Sequence, residues 1–334
     1  MQNQPPSEVL GFLRNGEASY QSRGAEHGEN QIFDLGSVTK IVSTTALTMK
    51  AIEYDLLSLN DPVQKFFSDF TNSDISIADL LSHRAGLWEW WPLYFETHNR
   101  ADAIQYILQK SFRYPPRSAR HYSDFGFILM GEILSQAFAK DLNYIFKEEI
   151  SHPLQLNSTS YATPVDVSRC ATSSIGDRAE FKMIESNNPY PIDKKTQEFH
   201  NWRIHELRGE INDGNAFHVL DGVSGHAGLF STASDILKFS RALLNSLGGE
   251  GFFAPEILQE FLTFRVDEDQ ALGFARFTSI PEGFGHTGFP GVAFAFFPDR
   301  ACAIVMMTNR LMCSGTPIAT RPTFENHIKS FLRS

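Results

Sequence analysis

The sequence predicts a mixed α/β (α+β) fold. An antiparallel sheet is formed by both termini and flanked by helices, with a mainly helical region inserted between them. Three observations carry this. A hairpin signal opens the chain: Val9–Leu13 and Glu17–Tyr20 flank an Asn15-Gly16 turn. The last third holds four short segments rich in Phe, Val and Ile, separated by turn signals: Ala271–Phe277, Gly283–Thr287, Val292–Phe297 and Ala301–Thr308. Between these ends the apolar residues recur at helical spacing. With 334 residues, 42% hydrophobic and 29 of them Phe, the chain can fill one large core. We expect a single unit, residues 1–334, whose α/β part covers 1–55 and 230–334 and whose helical insertion covers 56–229.

After the hairpin, a long helix is expected from Val38 to about Tyr54, with Ser37 at its start. Asp61-Pro62-Val63 opens a short helix with Pro at its first position. Ile77–Leu81 and Ala101–Lys110 read as further helices, and Phe125–Phe138 as a strongly apolar one. Residues 168–215 are polar and weakly periodic, and their Asn187-Asn188-Pro189 and Pro191 predict a long excursion with little regular structure. Ser231-Thr232-Ala233-Ser234-Asp235 is a helix start, and Gly248-Gly249 ends that helix after Leu247. A last helix, Phe324–Leu332, follows Pro322. No internal repeat is visible.

Composition excludes several function classes. The formal charge is −10, from 39 acids against 29 bases, with no run of Lys or Arg. Such a chain has no electrostatic footprint for nucleic acid or anionic membrane surfaces. No apolar stretch is long enough to span a bilayer. Cys170, Cys302 and Cys313 form no disulfide framework and no metal-binding pair, and there is no His-Glu-x-x-His. No metal or cofactor is expected. The N-terminal residues show no signal-peptide pattern, so a complete sequence would imply the cytoplasm, and a removed leader the periplasm or secretion.

Chemistry enters at Ser37-Val38-Thr39-Lys40. Three residues apart on a helix, Ser37 and Lys40 share one face. A serine is a poor nucleophile until a neighbouring base takes its proton. Lysine becomes that base when burial or a second cation lowers its pKa. Ser-x-x-Lys alone arises about once by chance in a chain of this length, so further motifs must support it. Two do: Tyr122-Ser123-Asp124, just before the apolar helix, and His286-Thr287-Gly288, at the end of a predicted strand.

The ordered set resembles the serine β-lactamase and penicillin-binding protein superfamily, in the branch of class C β-lactamases, D-Ala-D-Ala carboxypeptidases and related esterases. Those proteins carry Ser-x-x-Lys, then Tyr-x-Asn, then Lys-Thr-Gly or His-Thr-Gly. Phe33–Gly36, Leu80–Leu87, Gly225–Ser231 and Thr308–Arg310 also look like the family, so the resemblance spans roughly residues 9–311. It implies the β-lactamase/transpeptidase-like fold and a serine hydrolase working through an acyl-enzyme on an amide or ester. Its substrate would be a D-Ala-D-Ala-type peptide or a β-lactam, with a small ester as the alternative. Ser37 would be the nucleophile. Lys40 and Tyr122 would share the proton work, with the Tyr122 phenolate favoured by the lysine ammonium. The backbone N–H groups of Ser37 and Phe289 would form the oxyanion hole. Asp124, His286, Thr287 and Gly288 would contact substrate, His286 offering positive charge and Gly288 admitting the substrate backbone.

Two departures matter. Asp124 stands where the family has Asn, and an ionised carboxylate cannot donate to a substrate carbonyl. It either caps the helix or pairs with Lys40, in which case anionic substrates are disfavoured. Asp124 also keeps open a reading of another class, a non-catalytic penicillin-binding sensor or a decayed paralogue. The family usually has a helix before the first hairpin; here only the first eight residues precede it, so that helix is expected to be missing or replaced, and an exposed apolar sheet face is expected to recruit a second subunit as a homodimer. His83 and His226 read as structural. The aromatic run Trp88, Trp90, Trp91, Tyr94 and Phe95 is left open between core and pocket.

Overall fold

The computed structural model describes residues 4–70, 74–249, 251–265, 267–278 and 282–333. Six strands form one antiparallel sheet: β1 (Glu8–Arg14), β2 (Glu17–Arg23), β3 (Ala275–Phe277), β4 (Gly283–Thr287), β5 (Ala293–Phe297) and β6 (Cys302–Thr308). Their order is β2-β1-β6-β5-β4-β3, so the two termini meet at the β1–β6 pair, with Val9 opposite Met307. The sheet of both termini is as expected. The Asn15-Gly16 turn closes the β1–β2 hairpin with both residues at positive φ, 52° and 78°, as a two-residue hairpin of matching twist requires.

Alternation along the strands sends two sets of side chains to opposite faces. Val9, Leu13, Phe294, Phe296, Val305 and Met307 join the main core, over which α4 (Ala233–Leu247) packs on β1 and β6. Leu10, Ala293, Ala295, Phe297, Ile304 and Met306 meet Phe324, Ile328 and Phe331 of α5 (Thr320–Arg333). That second face is therefore covered, and Phe12 stacks on Phe331 at 5.3 Å. The exposed apolar sheet face expected to recruit a partner is not found among the described residues. The outer strand β2 is polar and solvated along its length, which suits an unpaired edge.

Two further expectations are corrected. The predicted continuous helix from Val38 is three pieces: a tight turn at Gly36–Val38, a wide π turn at Lys40–Thr45, and α1 (Ala46–Glu53). The cause is the hydroxyl run Ser43-Thr44-Thr45. Thr45 donates to the Lys40 carbonyl at 2.8 Å and Thr44 to that of Gly225 at 2.6 Å, and such bonds compete with the α-helical ladder. The polar excursion also has more structure than expected: a helix at Arg178–Ser186 and a two-stranded sheet of Thr172–Ile175 with Glu206–Arg208. Buried polar pairing organises it. Asp177 takes three hydrogen bonds from Arg203 through its backbone N, Nε and Nη2, at 2.9, 2.9 and 2.6 Å, so hydrophobic periodicity gave no sign. The remaining helices that frame the site are α2 (Ile77–Leu81), with a Ser76–Asp79 capping box, and α3 (Asp124–Phe138). Among the described residues no helix is long and apolar enough to cross a membrane.

Candidate active site

Ser37 sits in the tight turn that ends the chain's entry into the core. Gly36 makes the turn possible: its φ is +48°, and a Cβ there would stand 2.6 Å from Pro290 Cδ and 3.3 Å from Phe289 N. Asp34 braces it, accepting hydrogen bonds from Gly36 N (2.8 Å) and Asn212 N (2.6 Å). Burial pushes the Asp34 carboxyl up to about 6, against the pull of those two N–H groups.

Lys40 is fully buried and spends its three donors: on Ser37 Oγ at 2.9 Å, Asp124 Oδ1 at 2.7 Å and the His226 carbonyl at 3.3 Å. Burial disfavours the ammonium, but Asp124 and Tyr122 outweigh it, and the pKa is raised. The Tyr122 ring lies 4.9 Å from Lys40 Nζ. Lys40 and Ser37 both act to stabilise its phenolate, yet burial and the Asp124 charge prevail, so this pKa is raised too. The expected phenolate is thus corrected: at rest the pair is an ammonium and a neutral phenol.

Asp124 is the first residue of α3. The cap is its neighbour Ser123, whose Oγ accepts from Gly126 N at 3.3 Å. Of the two roles open to Asp124, pairing with Lys40 is the one observed.

His286 lies on β4 with its ring 5.8 Å from that of Tyr122. Nδ1 donates to the Thr287 carbonyl at 2.7 Å. Burial and the Lys40 charge push its pKa down to about 3, so it presents a neutral ring and not the positive charge expected. Gly288 has a structural reason of its own. A Cβ there would collide with the Leu35 carbonyl, so the strand's approach to the Ser37 turn by itself demands glycine. Thr287 and Phe289 do line the cleft.

The cleft has a volume of about 330 Å³, and Ser37, Tyr122, Asp124 and His286 open onto it. Its inner wall holds acids that sequence reasoning did not single out. Asp213 accepts from His226 Nε2 at 3.0 Å and from Ala216 N at 2.8 Å. Burial opposes its charge, but His226 and Lys40 hold it down to about 2. Glu180 takes hydrogen bonds from Tyr94 Oη (2.6 Å) and Gly214 N (2.7 Å), and burial with the Asp213 charge lifts it to about 8. Asp124 and Asp213 each use one oxygen inward, and among the described residues neither Oδ2 receives a hydrogen bond. Ligand atoms of Asp124, Asp213 and His226 lie within 4.8 Å of one another, but the Lys40 ammonium already supplies the positive charge there. His226 lies in Gly225–Ser231, and position within that run was the available signal. His226 has the structural role expected, tied to Ser224 Oγ at 2.8 Å as well. Of the aromatic run, Trp90 lines the cleft, opposite Tyr190.

A family model described as Beta-lactamase matches residues 4–313. The chain belongs to the serine β-lactamase and penicillin-binding protein-like family, in which hydrolysis is the shared chemistry. It is 26% identical over 323 residues to an N-acetylmuramyl-L-alanine amidase of Bacillus subtilis, covering 86% of this chain and 70% of that one. Its fold resembles a class C β-lactamase from Rhodobacter sphaeroides (TM-score 0.68, 19% identity, 97% and 95% of the two chains). It also resembles a β-lactamase/D-alanine carboxypeptidase from Pseudomonas syringae (TM-score 0.71, 16% identity, 98% and 94%).

Proposed function

We propose that the protein is a serine hydrolase that cleaves an amide through an acyl-enzyme on Ser37. The observation that carries this is the 2.9 Å contact between Ser37 Oγ and an ammonium that is itself fixed by Asp124. Ser37 Oγ adds to the carbonyl carbon, and its proton passes to the Lys40–Tyr122 pair. The oxyanion is taken by the N–H groups of Ser37 and Phe289. The pair then returns the proton to the leaving nitrogen as the C–N bond breaks, and water repeats the sequence to release the acid. Both groups are protonated at rest, so the reactive species is the form in which the pair has lost one proton.

The substrate class follows from family membership and charge. The kinship points to cell-wall-type amides, D-Ala-D-Ala-type peptides and β-lactams among them. The inner wall carries Asp124 and Asp213, and His286 is neutral. The two arginines of the cleft are neutralised: Arg120 by Asp267 at 2.5 Å, Arg321 by Asp269 and Glu325 at 2.9 Å each. An amide without a carboxylate beside the scissile bond therefore suits this cleft better than one that bears it. The relative named for muramyl-L-alanine amide cleavage fits that preference. Small activated esters are the second reading, since a site that acylates from an amide also acylates from them.

Intact-mass measurement after incubation with a fluorophosphonate tests the mechanism. A single adduct on Ser37, absent from Ser37→Ala, is expected. No adduct from the fluorophosphonate or from a fluorescent penicillin would leave a non-catalytic binder. An adduct from both reagents would restore β-lactams to first place.

A further inference from the structure

His83 takes no part in the mechanism above, yet it touches the segment carrying Tyr122 from three sides. Its carbonyl accepts the His121 N–H at 2.9 Å. Its Nδ1 accepts the Ser123 N–H at 3.0 Å. Its ring lies against the Tyr122 ring, centroids 4.5 Å apart, and is backed by Phe127 at 5.1 Å. The residues before and after Tyr122 are thus both tied to this one histidine.

Two features mark this as more than ordinary packing. His83 is 2% exposed, and its Nε2 is buried with no hydrogen-bond partner. Because Nδ1 receives an N–H, the proton must sit on Nε2, where it is unsatisfied. The backbone adds a second strain: φ is +58°, a region that histidine enters at a cost. An apolar side chain would avoid the first penalty and a glycine the second. What histidine supplies in return is an acceptor at Nδ1 and a flat face for the phenol. The mount is rigid. His83 follows α2, and α2 presses on α3, where a Cβ on Gly126 would stand 3.4 Å from the Leu80 carbonyl.

We propose that His83 is the positioning residue for Tyr122, clamping residues 121–123 so that the phenol hydroxyl stays at the Ser37–Lys40 pair. It acts as a neutral acceptor throughout, because an imidazolium would turn an N–H on Nδ1 against that of Ser123. Burial and the Lys40 charge hold its pKa well below the ordinary range. The inference rests on the reading that Tyr122 moves protons.

The test is a double-mutant cycle with rescue, read as kcat/KM for p-nitrophenyl acetate and as the rate and binding constants of fluorophosphonate acylation. His83→Leu should lower kcat/KM about 10²-fold, as a displacement of about 1 Å at the reacting groups does. The acylation rate constant, and not the reagent's binding constant, should carry that loss. In the Tyr122→Phe background the same substitution should cost less than threefold, because the group it positions is gone. His83→Asn should keep at least a tenth of the activity: its Oδ1 matches Nδ1 in position, and Asn tolerates positive φ. If His83→Leu does not fold, His83→Gln, which moves the acceptor one bond outward, takes its place with the same expectation. Wild-type activity in His83→Leu overturns the proposal, as does an equal loss in both backgrounds. A fully active Tyr122→Phe overturns the reading of Tyr122 instead, and the clamp with it.

Discussion

The two walls of the cleft both carry acids beside bases, but in opposite conditions. On the inner wall, Lys40, Asp124, Asp213 and Glu180 are drawn away from water: Lys40 bonds to Asp124, His226 to Asp213, and Glu180 accepts from Gly214 N and Tyr94 Oη. Around the outer rim, Arg120 and Arg321 meet Asp267, Asp269 and Glu325 with side chains roughly a quarter to a half exposed. The inner charges act on each other with little solvent between them; those of the rim are more exposed and more strongly screened, although, against partial burial, Arg120 still holds the Asp267 carboxyl below the usual range. On the mechanism proposed above, chemistry and charge selection belong to the inner wall, while the rim shapes the entrance.

The largest effect belongs to the nucleophile. Ser37→Ala should reduce turnover of p-nitrophenyl acetate by at least about 10³-fold and abolish covalent labelling. Residual turnover within tenfold of wild type would move the chemistry away from the inner wall altogether.

Next comes Asp124→Asn. With Lys40 and Tyr122 both raised, the wild-type rate should climb with pH through neutrality and beyond, following the deprotonated fraction of the pair. Removing the carboxylate withdraws the main stabiliser of the ammonium. The rising limb should then move to lower pH by about one unit or more, with roughly tenfold more activity near pH 7. Acylation by a carboxylate-bearing β-lactam should rise as well, because the new amide can donate where the acid cannot. A pH profile that does not move would show that Asp124 does not control the proton state of Lys40.

Much of this was legible in the sequence. The Asn15-Gly16 turn and the alternating Phe, Val and Ile of the last third announced the sheet, because hairpin closure and burial of a pleated face are local demands. Ser37, Lys40 and Tyr122 could be singled out because each belongs to a short motif, and the fold brings them together. What was hidden depends on distance and desolvation. Glu180 sits in the polar excursion on Arg178–Ser186, and nothing local marks it as buried against Asp213. The neutrality of His286 and the raised phenol of Tyr122 are consequences of lost water. The exposed apolar sheet face was expected from the chain's start alone; it is not found because Phe324, Ile328 and Phe331 of α5 cover it.

Glu180 makes a smaller prediction, in stability. Its folded pKa of about 8 lies above the ordinary glutamate value of 4.5. Between those values the unfolded chain has released a proton that the folded one retains, so this group's contribution falls as pH rises from about 4.5 to 8. Glu180→Gln mimics the protonated acid and keeps an acceptor for Gly214 N. Relative to wild type, its Tm should match near pH 5 and be higher by roughly 2–4 °C at pH 8.5. Equal Tm values at both pH values would mean that Glu180 is already ionised and better solvated than its contacts imply.

The rim should give least. Arg321 is shared between Asp269 and Glu325 and partly exposed, so Arg321→Ala removes a cation that is already neutralised and screened. Turnover of p-nitrophenyl acetate should change less than twofold, and a carboxylate-bearing β-lactam should lose no more than about threefold in kcat/KM, an effect that fades at high salt. A tenfold, salt-sensitive loss confined to the carboxylate-bearing substrate would reverse the contrast between the walls. Arg321 would then be the anion anchor that His286, held neutral by burial beside Lys40, does not supply, and the preference for substrates without a carboxylate would fall.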